Sequence, residues 1–260
     1  MKLLLDIGNT RIKSALLTAQ GLSEQHAIAH AGLDSAQLRT RVLDEYASVQ
    51  AVWVSNVAGT EIGQCITQAA YDQWQIQPTF VSSTAQCGAV RNAYPEPEKL
   101  GVDRWLALIG THAMNTSNPP SKQWAHALIV SVGTAMTIDA LAANGVHRGG
   151  LIVPGPDLMM RSLMHHTSDI ATHALNGEQG TAFFANNTLG AVYQGAVYAC
   201  AALVDAAYAQ LAATEPTHLV LTGGGAELIA PRLTTATQQV PALIPDLVLR
   251  GLAVLANAAR

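Results

Sequence analysis

Charge is scarce in this sequence. Only 12% of its 260 residues are Asp, Glu, Lys or Arg, against about a quarter in ordinary soluble domains. So little charge beside 49% apolar residues implies extensive burial and covered helices, with a subunit interface as one means of covering them. The charge sums to −4, which leaves no basic footprint for nucleic acid or an anionic membrane surface, and neither is expected as a partner. Cysteine is scarcer still. Cys65, Cys87 and Cys200 are odd in number, far apart, and form no CxxC pair or zinc spacing, so a reduced, cytoplasmic protein is the expectation. Long apolar runs are also missing. Asp6 interrupts the first after three leucines, which argues against a signal peptide. The segment 191–213 contains Gln194, Asp205 and Gln210 among many alanines, and predicts a buried or interface helix rather than a membrane span.

What is present alternates strand and helix signals. Residues 3–7 and 12–18 read as two strands joined at Gly8-Asn9-Thr10, a hairpin by turn chemistry. AVWVSNV (51–57) and PTFVSS (78–83) read as further strands. Between the hairpin and residue 51, Leu38, Val42 and Tyr46 recur at helical spacing, and CITQAAYDQW from Cys65 continues as helix. A proline-rich loop, PEPEKLG (95–101), precedes a helix starting near Val102. The polar stretch NTSNPPSKQ (115–123), with two prolines near mid-chain, is the best boundary. It divides the chain into an expected N-terminal lobe, 1–117, and a C-terminal lobe, 118–260.

The second lobe opens with an echo of the first. With an offset of 125 residues, Asp6 falls on Ser131, Gly8 on Gly133, Asn9 on Thr134, Ala15 on Ala140 and Leu16 on Leu141. Two similar segments at half-chain spacing point to two lobes of one ancestral topology. A strand turning through Pro154-Gly155 into a helix, a long alanine-rich helix over about 189–213, the strand HLVLTGG and a closing helix complete the second lobe.

Three strand-then-glycine turns stand out: DIGNT (6–10), SVGTAMT (131–137) and LTGGGAE (221–227). Glycine turns expose backbone N–H groups that suit phosphate oxygens. The common nucleotide fingerprints fail, however. No lysine follows a glycine as in a Walker A loop, and GGGAEL lacks the last glycine of a dinucleotide fold. The histidines His165, His166 and His173 lack HExxH spacing or a thiolate partner, and read as a solvated polar segment. Trp53, Trp74, Trp105 and Trp124 follow no stacking interval and are expected in the core. Asp139 reads as a strand-end aspartate at the close of the second hairpin.

Taken in order, DIGNTRIK (6–13), GVDRW (101–105), GTAMTID (133–139) and TGGGAEL resemble the type III pantothenate kinase family over essentially the whole chain. The resemblance implies an α/β fold of two similar RNase H-like lobes of the actin-like ATPase type, also that of sugar kinases and Hsp70. Each lobe is then a mixed sheet flanked by helices, with ATP held in a central cleft. It implies ATP-dependent phosphorylation of pantothenate to 4′-phosphopantothenate, the first step of coenzyme A biosynthesis, by a homodimer. Carried over by position, Asp6, Gly8, Asn9, Thr10 and Lys13 match the first phosphate motif, with Asp6 facing Mg²⁺ through water. Gly133 and Thr134 match the second motif, and Gly223 and Gly224 complete the ATP contacts. Tyr94, Gly101, Val102 and Arg104 match the substrate segment, Asp103 the catalytic aspartate, and Thr188 or Thr181 the substrate threonine.

The residues themselves agree with part of this assignment. Asp103 falls in the first turn of a helix beside Arg104, where helix dipole and guanidinium favour its ionised form. A helix-start carboxylate there only for capping is the bland alternative. Arg104 suits either a substrate carboxylate or a salt bridge to Asp103. One departure from the family is Ser131, where an aspartate associated with a monovalent cation is usual. K⁺ or NH₄⁺ dependence is therefore expected to be weak or to use other ligands. Two other functions fit the same pattern: a kinase for another small alcohol, and a non-catalytic nucleotide-dependent binding or regulatory module.

Overall fold

The computed structural model describes residues 1–119, 123–167, 170, 173, 180, 182–234 and 240–259. They fall into two compact units. The first is Met1–Gln123 with Asn144–His147 and Asp246–Arg260; the second is Trp124–Ala143 with Arg148–Pro245.

In the first unit the strands are β1 (Lys2–Ile7), β2 (Arg11–Thr18), β3 (Gly21–Leu22), β4 (His26–Ala29), β5 (Ala51–Asn56) and β6 (Thr79–Phe80). They form one sheet in the order β3-β2-β1-β5-β6, with β4 also on β2. The β1–β2 hairpin is antiparallel, and β1–β5 and β5–β6 are parallel. Central position explains β1: Leu3, Leu4, Leu5 and Ile7 are all fully buried, as expected of a strand covered on both faces. Helix α1 (Ser35–Leu38) starts at a capping box in which Asp34 and Gln37 exchange side-chain bonds. The continuous helix expected there widens into a π turn over Arg39–Leu43, yet Leu38, Val42 and Tyr46 all reach the core. Helix α2 (Thr60–Trp74) packs on the same cluster through Ile62, Ile66, Ala69 and Ala70. A small hairpin, β7 (Gln86–Cys87) with β8 (Val90–Arg91), precedes helix α3 (Val102–Ser117).

Helix α3 is covered by the C-terminal helix, Leu247–Ala258, which returns to this unit. Their approach is set by two glycines. A Cβ on Gly110 would lie 2.7 Å from the Leu247 carbonyl, and one on Gly251 would collide with the carbonyl of Leu106. Only bare backbone lets the helices come this close.

The second unit repeats the pattern. Strands β9 (His126–Val132), β10 (Ala135–Ala142), β11 (His147–Pro154), β12 (Thr217–Thr222) and β13 (Ala242–Leu243) follow the order β11-β10-β9-β12-β13. Here too the first hairpin is antiparallel and the next two pairings are parallel. Helices α4 (Pro156–His166), α5 (Thr188–Ala212) and α6 (Ala226–Ile229) accompany this sheet. Helix α5 is long and apolar enough to cross a membrane by composition. It instead buries Val197, Cys200, Ala201 and Val204 in the core beneath β9, β10 and β12.

The repeat is therefore real in topology, but its register needs one correction. The first loop runs from Ile7, paired with Ile12, whereas the second runs from Val132, paired with Met136. The second loop is one residue shorter. The 125-residue offset holds through β1 and β9, but β2 and β10 correspond at 124. Ile12 thus matches Met136, Lys13 matches Thr137 and Ala15 matches Asp139, not Ala140. Under this register the first seven positions of the two strands share one burial pattern. Asp139 is therefore not a strand-end residue: it sits within β10 opposite Ile129 and is 3% exposed. Of the four tryptophans only Trp105 is fully buried; the other three are half-buried.

Candidate active site

Asp6 is the penultimate residue of β1 and is buried, with Ile7 and the loop Gly8–Thr10 following. It is cross-strand from Lys13 on β2 and, on the other side, in register with Ser55 of β5. The Ser55 hydroxyl donates to Asp6 Oδ1 at 3.1 Å. Burial pushes the Asp6 carboxyl up to about 6; the Lys13 ammonium opposes this, the Asp103 carboxylate adds to it, and the Ser55 hydrogen bond opposes it again. The charge of Asp103 thus acts on Asp6, so two carboxylates and one ammonium share a neighbourhood at the strand end.

The loop beyond Asp6 is closed by the Gly8 N–H donating to the Arg11 carbonyl at 3.0 Å. Asn9 and Thr10 are exposed. From the side of β4, His30 approaches: its Nε2 lies 2.7 Å from the Gly8 carbonyl oxygen, and its backbone N–H donates to the Thr10 carbonyl at 3.3 Å.

Asp103 lies in the first turn of α3, and its Oδ1 accepts the Arg104 N–H at 2.9 Å. The carboxylate folds back over Gly101, where an added Cβ would sit 2.7 Å from that same oxygen. Glycine at the helix start is therefore what makes room for this placement. Val102 is buried beside it. Arg104 is 5% exposed; its Nη1 donates to the Tyr94 hydroxyl at 3.1 Å, and its guanidinium lies 5.7 Å from the Tyr94 ring centre. Behind Tyr94 is His147, its ring nearly parallel at 6.3 Å, with Nδ1 accepting the Ala93 N–H at 3.4 Å. Tyr94, Gly101, Val102, Asp103 and Arg104 thus form one cluster.

In the second unit the turn after β9 closes by the Gly133 N–H donating to the Ala135 carbonyl at 3.0 Å. Three glycines press against it. The Gly155 N–H donates to the Thr134 carbonyl at 2.9 Å, and its Cα is so close that any Cβ would collide with the Gly133 carbonyl. Gly223, at a φ of +87°, abuts the Val132 carbonyl, and the Gly225 N–H donates to that oxygen at 3.0 Å. Gly224 faces open space. Ser131 pairs with Thr137 across the hairpin, so the Asp6–Lys13 pair of the first unit is replaced by two neutral hydroxyls.

Thr188 opens α5, after the N-cap Asn187, whose Oδ1 accepts the Gly190 N–H at 2.8 Å. It borders a cavity of about 840 Å³ with Met159, Leu163, Asn186 and Val192. Thr181, the alternative, lies outside the described residues. His165 and His166 occupy the exposed last turn of α4 with their rings edge to face, 4.8 Å apart. The sequence by itself does not mark His30, Ser55, His147 or Gly155 as site residues. His30 and Ser55 carry no local motif, while the Pro154-Gly155 turn was the one available signal.

The family model for type III pantothenate kinases matches residues 2–210. A type III pantothenate kinase of Nitrosococcus oceani is 36% identical, spanning 99% of this chain and 94% of its own. One from Burkholderia mallei is 39% identical over the full length of both. Among solved structures, a ROK family glucokinase from Streptomyces griseus, in complex with glucose and AMPPNP, superimposes with a TM-score of 0.50 at 12% identity. That match covers 99% of each chain. The shared fold is that of the actin-like sugar kinases.

Proposed function

This chain belongs to the type III pantothenate kinase family, and from that premise we propose how its residues perform the family's ATP-dependent phosphorylation of pantothenate. The observation that carries the reading is the Gly101–Arg104 helix start, which fixes the Asp103 carboxylate by its Oδ1 and turns Arg104 onto Tyr94.

Asp103 orients the primary hydroxyl of pantothenate and accepts its proton. The hydroxyl oxygen forms a bond to the γ-phosphorus as the bond to the β,γ-bridging oxygen breaks, and ADP leaves with that electron pair. Because this transition state is loose, holding the hydroxyl in line contributes more than base strength. Tyr94, Gly101, Val102 and Arg104 form the substrate side, with the guanidinium suited to the pantothenate carboxylate. Thr188 is proposed as a further substrate contact. Gly8, Asn9, Thr10 and Lys13, with Gly133, Thr134, Gly223 and Gly224, are the ATP contacts; exposed loop N–H groups and the Lys13 ammonium supply the attraction for phosphate.

Asp6 suits Mg²⁺. A buried carboxyl held up to about 6, next to a second carboxylate, gains from a divalent cation, and Mg²⁺ needs few protein ligands because it keeps waters and phosphate oxygens. When bound, the ion neutralises charge developing on the phosphates. The homodimer and a cytoplasmic location are proposed as further family properties.

The test is ADP release with pantothenate and with other small primary alcohols, using Asp103→Asn as control. Turnover specific to pantothenate and lost in the variant is the expected result. Absence of pantothenate-dependent turnover, or full activity in the variant, would overturn the reading.

A further inference from the structure

We propose that His30 is a positioning residue for nucleotide binding, aiming the backbone N–H groups of the Gly8–Arg11 loop. It rests on the phosphate role proposed above for that loop.

The geometry is specific. Strand β4 runs antiparallel to β2 with Ala29 opposite Arg11, so His30, one residue further, lies alongside the loop. From there it holds both carbonyls that flank Asn9 and Thr10: Gly8 through ring Nε2 at 2.7 Å, and Thr10 through its backbone N–H at 3.3 Å. A carbonyl oxygen only accepts, so Nε2 carries the proton in this contact. The ring is buried with its residue, at 9% exposure, which shields the bond from competing water.

A trans peptide is planar, and its C=O and N–H point in opposite directions. Fixing the Gly8 carbonyl toward His30 therefore directs the Asn9 N–H to the opposite face of the loop. Fixing the Thr10 carbonyl does the same for the Arg11 N–H. Unconstrained, such a glycine-containing turn samples several conformations, and ordering it would weaken each phosphate contact. The second unit meets the same need differently: Gly155 holds the Thr134 carbonyl by its N–H and crowds the Gly133 carbonyl. Both loops have their carbonyls pinned from one side. In the first unit a side chain does part of it, and that makes the device testable by substitution.

Full-length His30→Leu keeps approximate volume and removes the donor, while His30→Gln returns an N–H at similar reach. Steady-state kinetics in ATP and in pantothenate, thermal melting, and direct titration with ADP and Mg²⁺ are measured for all three proteins. His30→Leu is expected to raise the KM for ATP and the Kd for ADP by about tenfold, roughly the loss of one well-placed hydrogen bond. Its KM for pantothenate should move less than about twofold. His30→Gln should recover most of the nucleotide affinity. The proposal fails if folded His30→Leu binds ADP as wild type does, or if KM rises equally for both substrates. It fails equally if His30→Gln is as impaired as His30→Leu, which would mean that the ring only packs. If His30→Leu does not fold, His30→Gln decides alone: near-wild-type nucleotide affinity supports the proposal and a tenfold loss overturns it. Wild-type protein without ADP binding would instead remove the phosphate reading of the loop.

Discussion

Ser55 and Asp6 face one another on adjacent parallel strands, and the Ser55 hydroxyl reaches Asp6 Oδ1 at 3.1 Å. That single neutral hydrogen bond, with the Lys13 charge, does not offset the burial of the carboxylate, which rises from its ordinary 3.8 to about 6. Between those two values the folded chain binds more protons at Asp6 than the unfolded chain. Stability contributed by this group therefore falls as pH rises from about 4 to about 6, and the cost persists above 6. It amounts to about 3 kcal/mol. Ligand-free Asp6→Asn is expected to be more stable than wild type at neutral pH, by about 1–3 kcal/mol. The difference should vanish near pH 4, with activity lost. Urea unfolding across that range measures it, and a variant less stable at every pH would contradict the account.

Gly101→Ala separates activity from stability. The new methyl clashes only with Asp103 Oδ1, with Arg104 Cδ at an ordinary 3.9 Å, so the strain is relieved by turning the carboxylate away at the loss of its bond from the Arg104 N–H. Melting should change by only a few degrees, about 1 kcal/mol or less, while kcat falls steeply because the displaced carboxylate no longer meets the hydroxyl. A variant with wild-type kcat would show that the observed carboxylate position is not the working one.

Gly251→Ala is the reverse case. Its methyl has only the Leu106 backbone to move against, and overpacking of this kind costs about 1–3 kcal/mol or more. A clear drop in melting temperature is expected, with near-normal KM values in whatever folded protein remains at low temperature.

Gly155→Ala should act on nucleotide affinity. A methyl there collides with the Gly133 carbonyl and must push the second loop out of place. The KM for ATP is expected to rise at least about tenfold, the equivalent of one lost hydrogen bond or more. Steady-state kinetics at saturating pantothenate would show it.

Monovalent cations supply the last test. Ser131 and Thr137 stand where the first unit has Asp6 and Lys13, and neutral hydroxyls attract K⁺ far less than a carboxylate does. Rates in Na⁺, K⁺ and NH₄⁺ buffers should differ little; strong K⁺ activation would require ligands other than this pair.

Much of this protein was legible in its residues. The apolar run into Asp6-Ile7-Gly8 specified a strand and a glycine turn, because a buried strand and a polar loop have incompatible compositions. Its echo at Ser131-Val132-Gly133 announced the repeat, and GVDR announced a helix with an acid in its first turn. These are local properties, carried by a few neighbouring residues, and sequence determines them directly. Three-dimensional packing decided the rest. The one-residue difference between the two loops became visible only from strand pairing, since alignment of similar apolar residues tolerates a slip that hydrogen-bond register does not. The return of Asp246–Arg260 to the first unit depends on Gly110 and Gly251, 141 residues apart, each meeting the other helix's backbone. Asp6 acquires its raised pKa from its dry surroundings, with Asp103 adding to the rise and Lys13 and Ser55 only partly opposing it. His30 reaches Gly8 because β4 lies beside β2. Contacts of that kind join residues with no sequence relation, and folding alone brings them within reach.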